Sequence, residues 1–111
     1  METTFGELIR QARLKKGFSQ KELAEEIGID FTSLSRMESN MAHYTPKEST
    51  IRALAVNLSL DSEELIFLAG RIPQKDSELL KLHYKTMATL FRLLREDSQL
   101  VERLCQTICS K

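Results

Sequence analysis

Residues that break helices are scarce in this 111-residue chain, which holds two prolines and four glycines. Beside abundant Leu, Glu, Lys and Arg, that scarcity argues for an all-α protein. Cysteine is scarce too. Cys105 and Cys109 sit four residues apart, neighbours on a helix where a disulfide would be strained, so a reduced, cytoplasmic protein is expected. No run of about 18 apolar residues occurs, so no membrane span is expected. The opening Met-Glu-Thr-Thr has neither a positive nor an apolar stretch, so no secretory leader is expected. Catalytic chemistry is also missing. There is no phosphate-binding glycine loop, no Ser/His/Asp order, and no His pair with a carboxylate at ligand spacing. Cys105 and Cys109 offer two thiolates without a nearby His, and His43 and His83 lie far from them in sequence, so no metal site emerges. The residues imply no enzyme and no cofactor, and they name no small-molecule effector.

A surplus of one charge is lacking as well, with 16 basic and 16 acidic residues. The balance is uneven along the chain. Residues 1–70 hold eight basic and eleven acidic residues, net −3, and residues 71–111 hold eight and five, net +3. A generally basic nucleic-acid surface is therefore excluded, and any such binding must rest on local clustering. The length suits one domain with a small core and room for an appendage.

What is present is a series of helix start and stop signals. Thr4-Phe-Gly-Glu7 is a capping-box pattern, followed by Phe5, Leu8, Ile9, Ala12 and Leu14 at roughly helical spacing, with Gly17 as the stop. Ser19-Gln-Lys-Glu22 is a second box, with Leu23, Ala24 and Ile27 inward and Gly28 as the stop. Asp30 can cap a third helix that Asn40 ends. Thr45-Pro-Lys-Glu48 reads as a third box, with proline at the first helical position and Ile51, Leu54, Ala55 and Leu58 as the stripe. Asp61-Ser-Glu-Glu64 starts a fifth helix, with Leu65, Ile66 and Leu68 inward and Gly70 after it.

The stretch from Gly28 to Asn40 organises the rest. As a helix from Phe31 it turns Leu34 and Met37 to a core and Phe31, Thr32, Ser35 and Arg36 outward. A short glycine-containing turn between two short helices is helix-turn-helix geometry. Small polar residues with one Arg and one Phe on a capped helix suit reading base edges in a major groove. Phe31 has a second reading, as a core residue closing over the second helix. The loop residues His43 and Tyr44 can brush phosphates or form an ordinary surface.

Residues about 5–70 resemble the Cro/repressor-type helix-turn-helix domain of the XRE family of phage and bacterial regulators. The resemblance is carried by Arg13-Leu-Lys-Lys-Gly17-Phe18-Ser19-Gln20-Lys-Glu22-Leu23-Ala24, by Gly28-Ile29, by Leu34-Ser35-Arg36-Met37-Glu38, and by Pro46 with Ile51, Ala55 and Leu58. Asn40 departs from it, standing where a glycine usually ends the recognition helix. The resemblance implies a five-helix lambda-repressor-like helix-turn-helix domain over residues 1–71, followed by a C-terminal helical hairpin over 72–111. It further implies base contacts from Phe31, Thr32 and Arg36, and phosphate contacts from Gln20, Ser35, Ser39 and Lys47. It also implies a partly buried salt bridge between Arg13 and Glu38. The expected partners are a double-stranded DNA operator and a second copy of the chain. A protein-interaction module, adaptor or antitoxin, is the competing class, kept open by the −3 charge of the first part.

Residues 71–111 carry a different pattern. Arg71-Ile-Pro-Gln74 reads as a linker, and two helices are expected, about 74–95 and 98–109. Tyr84, Met87, Phe91 and Leu94, then Val101, Cys105 and Ile108, form a heptad-like apolar series, too wide for a helix that stands alone in water. It reads as a homodimer interface or as a surface that folds back on the first domain.

Overall fold

Residues 3–40 and 45–109 are described by the computed structural model, and all regular structure among them is helical. Two units divide the chain, residues 1–74 and 75–111. The first holds α1 (Phe5–Lys16), α2 (Gln20–Ile27), α3 (Phe31–Glu38), α4 (Glu48–Leu58) and α5 (Ser62–Leu68).

Local chemistry sets these ends. Ser19 Oγ accepts the Glu22 N–H at 3.0 Å while the Ser19 N–H donates to the Glu22 carboxylate at 2.8 Å, a capping box closed both ways. Asp30 and Asp61 each accept an N–H three residues on, from Ser33 at 3.1 Å and Glu64 at 3.0 Å. Thr4 accepts from Glu7 at 3.2 Å. Gly28 has φ +76°, a left-handed conformation that lets α2 stop and the chain reach Asp30 in two residues. That turn fixes the α2–α3 pair.

The core lies where these helices meet. Ile9 of α1, Leu23 and Ala24 of α2, Leu34 and Met37 of α3, Ile51, Leu54, Ala55 and Leu58 of α4, and Leu65 and Ile66 of α5 are all buried. Ala24 keeps the side chain between the crossing helices small. Leu14 and Leu68, expected inward, are 56% and 39% exposed. Arg13 takes the buried place on the last turns of α1, which turns its neighbour Leu14 outward. Leu68 lies about 200° around α5 from the buried Ile66.

The expected capping box at Thr45 does not form. α4 begins at Glu48, with Lys47 as an N-cap that makes no side-chain capping bond. The physical reason is competition. The Glu48 carboxylate accepts from Arg52 at 3.0 Å and from the Gln74 N–H at 2.8 Å, so it does not reach back to Thr45. The Pro46 carbonyl is likewise engaged, by Arg71 Nε at 2.6 Å.

The unit boundary falls at Gln74 because residues 71–74 are bonded to the start of α4 and Pro73 is buried. Beyond a 3₁₀ turn at Gln74–Asp76, the second unit contains α6 (Ser77–Leu82), α7 (Tyr84–Glu96) and α8 (Ser98–Cys109). The single helix expected over about 74–95 is therefore broken. His83 leaves the helical region at φ −113°, ψ 37°, although neither glycine nor proline marks the place. Asp97 separates α7 from α8 and accepts the Gln99 and Leu100 N–H groups, which starts α8. No residue of α6, α7 or α8 is buried.

Candidate nucleic-acid interface

The α2–α3 pair presents α3 with one face in the core and the other in solvent. Leu34, Met37 and Glu38 are buried on it, while Phe31, Thr32 and Arg36 are exposed. Phe31 is 52% exposed, so its alternative reading as a core residue does not hold. Ser35 is half-buried and Ser39, the C-cap of α3, is exposed. The exposed row offers an aromatic ring, a hydroxyl and a guanidinium. These groups can touch a thymine methyl and donate to base edges, and Arg is suited to guanine O6 and N7.

Buried charge anchors the inner face. Arg13 Nε meets Glu38 Oε2 at 2.7 Å, and a second guanidinium nitrogen meets Oε1 at 3.0 Å, a bidentate pair with side chains 9% and 3% exposed. The remaining Arg13 nitrogen donates to the Phe18 carbonyl at 2.9 Å. One side chain thus ties α1, the α1–α2 link and α3 together, with each of the three guanidinium nitrogens donating a hydrogen bond. Gln20 joins the same group, its amide donating to Glu38 Oε1 at 3.0 Å. The residue expected at a phosphate is therefore oriented by α3, a coupling that spacing alone does not reveal.

A second tie lies just beyond Glu38, at the same end of α3. Asn40 adopts φ +55°, and its Oδ1 accepts the Gly6 N–H at 2.9 Å. A β-carbon on Gly6 would overlap the Met37 carbonyl and the Asn40 amide. The only sequence hint of this contact is the asparagine standing in a glycine's place.

An open groove runs between the α2–α3 turn and the start of α4, lined by Gly28, Ile29, Thr45, Lys47, Ser49 and Thr50. Lys47 is exposed. His43 and Tyr44 lie outside the described residues.

Three carboxyls, those of exposed Glu22 and Asp30 and of half-buried Glu48, carry lowered pKa values, each because hydrogen bonds favour the charged form. Glu22 is lowered by the Ser19 N–H and hydroxyl, Asp30 by Ser33, and Glu48 by the Gln74 N–H and then Arg52. All three sit at or near helix N-termini, where negative charge is also favoured. Among the described residues no group of His, Cys, Asp and Glu could hold a metal ion, and no helix is long and apolar enough to cross a membrane.

In the second unit, Tyr84, Phe91, Val101, Cys105 and Ile108 are exposed and Met87 and Leu94 half-buried. The apolar series is present on α7 and α8, and none of its residues is fully buried among the described residues.

Fold and site together define a helix-turn-helix domain of the kind that carries a recognition helix. The helix-turn-helix family profile matches residues 9–65, and the chain belongs to that family, in its Cro/repressor (XRE) branch. It is 33% identical over 75 residues to RghRB of Bacillus subtilis (strain 168), an uncharacterized HTH-type transcriptional regulator. That stretch is 68% of this chain and spans about half of the relative, 53% of its length. Among solved structures, SinR, the master regulator for biofilm formation, in complex with DNA shares 30% identity at a TM-score of 0.51. The match covers 57% of this chain and 98% of that one. A complex of SinR with SinI shares 26% identity at a TM-score of 0.51, covering 90% of this chain and 99% of that one.

Proposed function

We propose that this chain is a DNA-binding transcriptional regulator, a dimeric repressor or autoregulator that places α3 of each copy in the major groove of a palindromic operator. The observation that carries this reading is the exposed row Phe31, Thr32 and Arg36 on a helix pinned from behind by the Arg13–Glu38 pair. The likeness to SinR in complex with DNA supports it. Phe31, Thr32 and Arg36 read base edges, and Gln20, Ser35, Ser39 and Lys47 hold phosphates. Occupation of the operator excludes other proteins from it. Two half-sites about 34 Å apart need two recognition helices held in register, and the apolar series on α7 and α8 supplies the contact between copies. Its residues are Tyr84, Met87, Phe91, Leu94, Val101, Cys105 and Ile108.

The test is in vitro selection from random duplexes, with mass measured in solution on the same sample. A palindromic site and twice the mass of one chain are expected. Failure to enrich any sequence would overturn the reading.

One observation favours a second reading, in which the chain engages a distinct protein. The SinR–SinI complex aligns over most of this chain, including part of the second unit. The −3 balance of residues 1–70 points the same way. Affinity for random duplex that falls steeply with salt supports the DNA reading, and none at low salt supports the protein reading.

A further inference from the structure

Lys47 is held from both sides by a segment far along the chain. Its preceding neighbour, Pro46, is buried, and the Pro46 carbonyl accepts from Arg71 Nε at 2.6 Å. Its following neighbour, Glu48, accepts the Gln74 N–H at 2.8 Å and Arg52 Nε at 3.0 Å. Between these two bonds Lys47 itself is exposed and makes no side-chain capping bond. The segment is in turn fixed to the body of the unit. The Arg71 N–H donates to the Ile66 carbonyl at 3.1 Å after Gly70 turns the chain at φ +82°, and Pro73 is fully buried. The family match ends at residue 65, so this strap lies outside it.

From this arrangement we infer that residues 71–74 are a positioning strap for a phosphate contact. Arg71 and Glu48 fix the backbone on either side of Lys47, so that its ammonium reaches the DNA backbone with the start of α4 already ordered. The inference rests on the DNA-binding reading. A contact made by a pre-ordered residue loses less conformational entropy on binding than one made from a loose segment. Glu48 is informative because its charge and its bonding predict opposite results. As a carboxylate near DNA it repels phosphate, so charge alone makes Glu48→Ala bind more tightly. As an anchor for the strap it supports Lys47, so its loss makes binding weaker.

The experiment is an anisotropy titration of a fluorescein-labelled random-sequence duplex by the full chain at several salt concentrations. It uses Glu48→Ala, Lys47→Ala, the double variant and Arg71→Lys. Arg71→Lys keeps the positive charge and removes the planar Nε donor, and it is the milder change should Glu48→Ala unfold in a thermal melt. Glu48→Ala and Arg71→Lys are each expected to weaken binding about fivefold, and Glu48→Ala to add almost nothing once Lys47 is alanine. Tighter binding by Glu48→Ala, or unchanged binding by folded Arg71→Lys, overturns the inference, as does full additivity with Lys47→Ala. Amide exchange of Gln74, measured without DNA, separates the two levels. Protection lost in Glu48→Ala is expected, and protection unchanged overturns the strap itself. Wild-type chain with a protected Gln74 amide and no affinity for the duplex overturns the DNA reading, and the inference falls with it.

Discussion

Arg36 and Glu38 sit two residues apart and have opposite tasks. Arg36 stands in solvent on the outer face of α3, and Glu38 is buried against Arg13. Arg36→Ala should leave the fold intact, cost about 1–3 kcal/mol of operator affinity and relax the preference at one base pair, as read by competition with single-base variants of the selected site. Glu38→Ala should instead lower folding stability by about 3–5 kcal/mol, because it leaves the Arg13 guanidinium buried without its counter-charge. Urea unfolding followed by circular dichroism measures this. The three carboxyls with lowered pKa values set a pH dependence of known sign. A group whose folded pKa is depressed adds stability above its unfolded value and loses it as pH falls through the folded value. Glu22 and Glu48 start from 4.5 and Asp30 from 3.8, so the melting temperature should decline as pH falls below about 4.5. The decline should be shallower in a Glu22→Gln variant. A melting temperature flat from neutral pH to pH 3 contradicts that account.

At the scale of elements, caps and close contacts decide where helices begin and how near they approach. Asp30→Ala removes the oxygen that holds the first turn of α3 and should lower the unfolding midpoint in the same urea assay. Gly6→Ala should cost about 1–3 kcal/mol, because its methyl meets the Met37 carbonyl, a backbone atom that moves only with α3. Much of the first unit was legible because capping residues and apolar spacing point to the same ends. Ser19, Asp30 and Asp61 cap the helices their patterns announce. Thr45 was misleading because its box partner Glu48 has better partners at positions 52 and 74, and no local pattern reveals a competitor 26 residues away. The break at His83 was invisible for a related reason, since the apolar period runs through it unbroken. Gln20 shows the same limit within the site. Its type suits a phosphate contact, and its bond to Glu38 exists only because folding brings α2 and α3 together.

At the scale of the whole molecule, the two units differ in how they use apolar residues. Among the described residues the first encloses a core cluster of eleven, and the helices of the second bury none of theirs. Tyr84 is 64% exposed and Ile108 68%, which is costly for single helices in water and useful for association. A Phe91→Glu variant should therefore run at half the wild-type mass in sedimentation, and its operator binding should become far weaker through loss of the linked second half-site. Wild-type chain that already sediments as a monomer at micromolar concentration removes this interface from the account.

The bare backbone at Gly6 has one more effect. With the first turn of α1 pressed against the tail of α3 and the buried ion pair gripping the same helix nearby, α3 is held at its C-terminal end by two independent contacts with α1. It cannot roll about its own axis the way a loose dowel would. If α3 reads DNA as proposed, a signal that silences the protein is expected to cover the outer row or to shift α3 together with α1, because these contacts tie the two helices to each other.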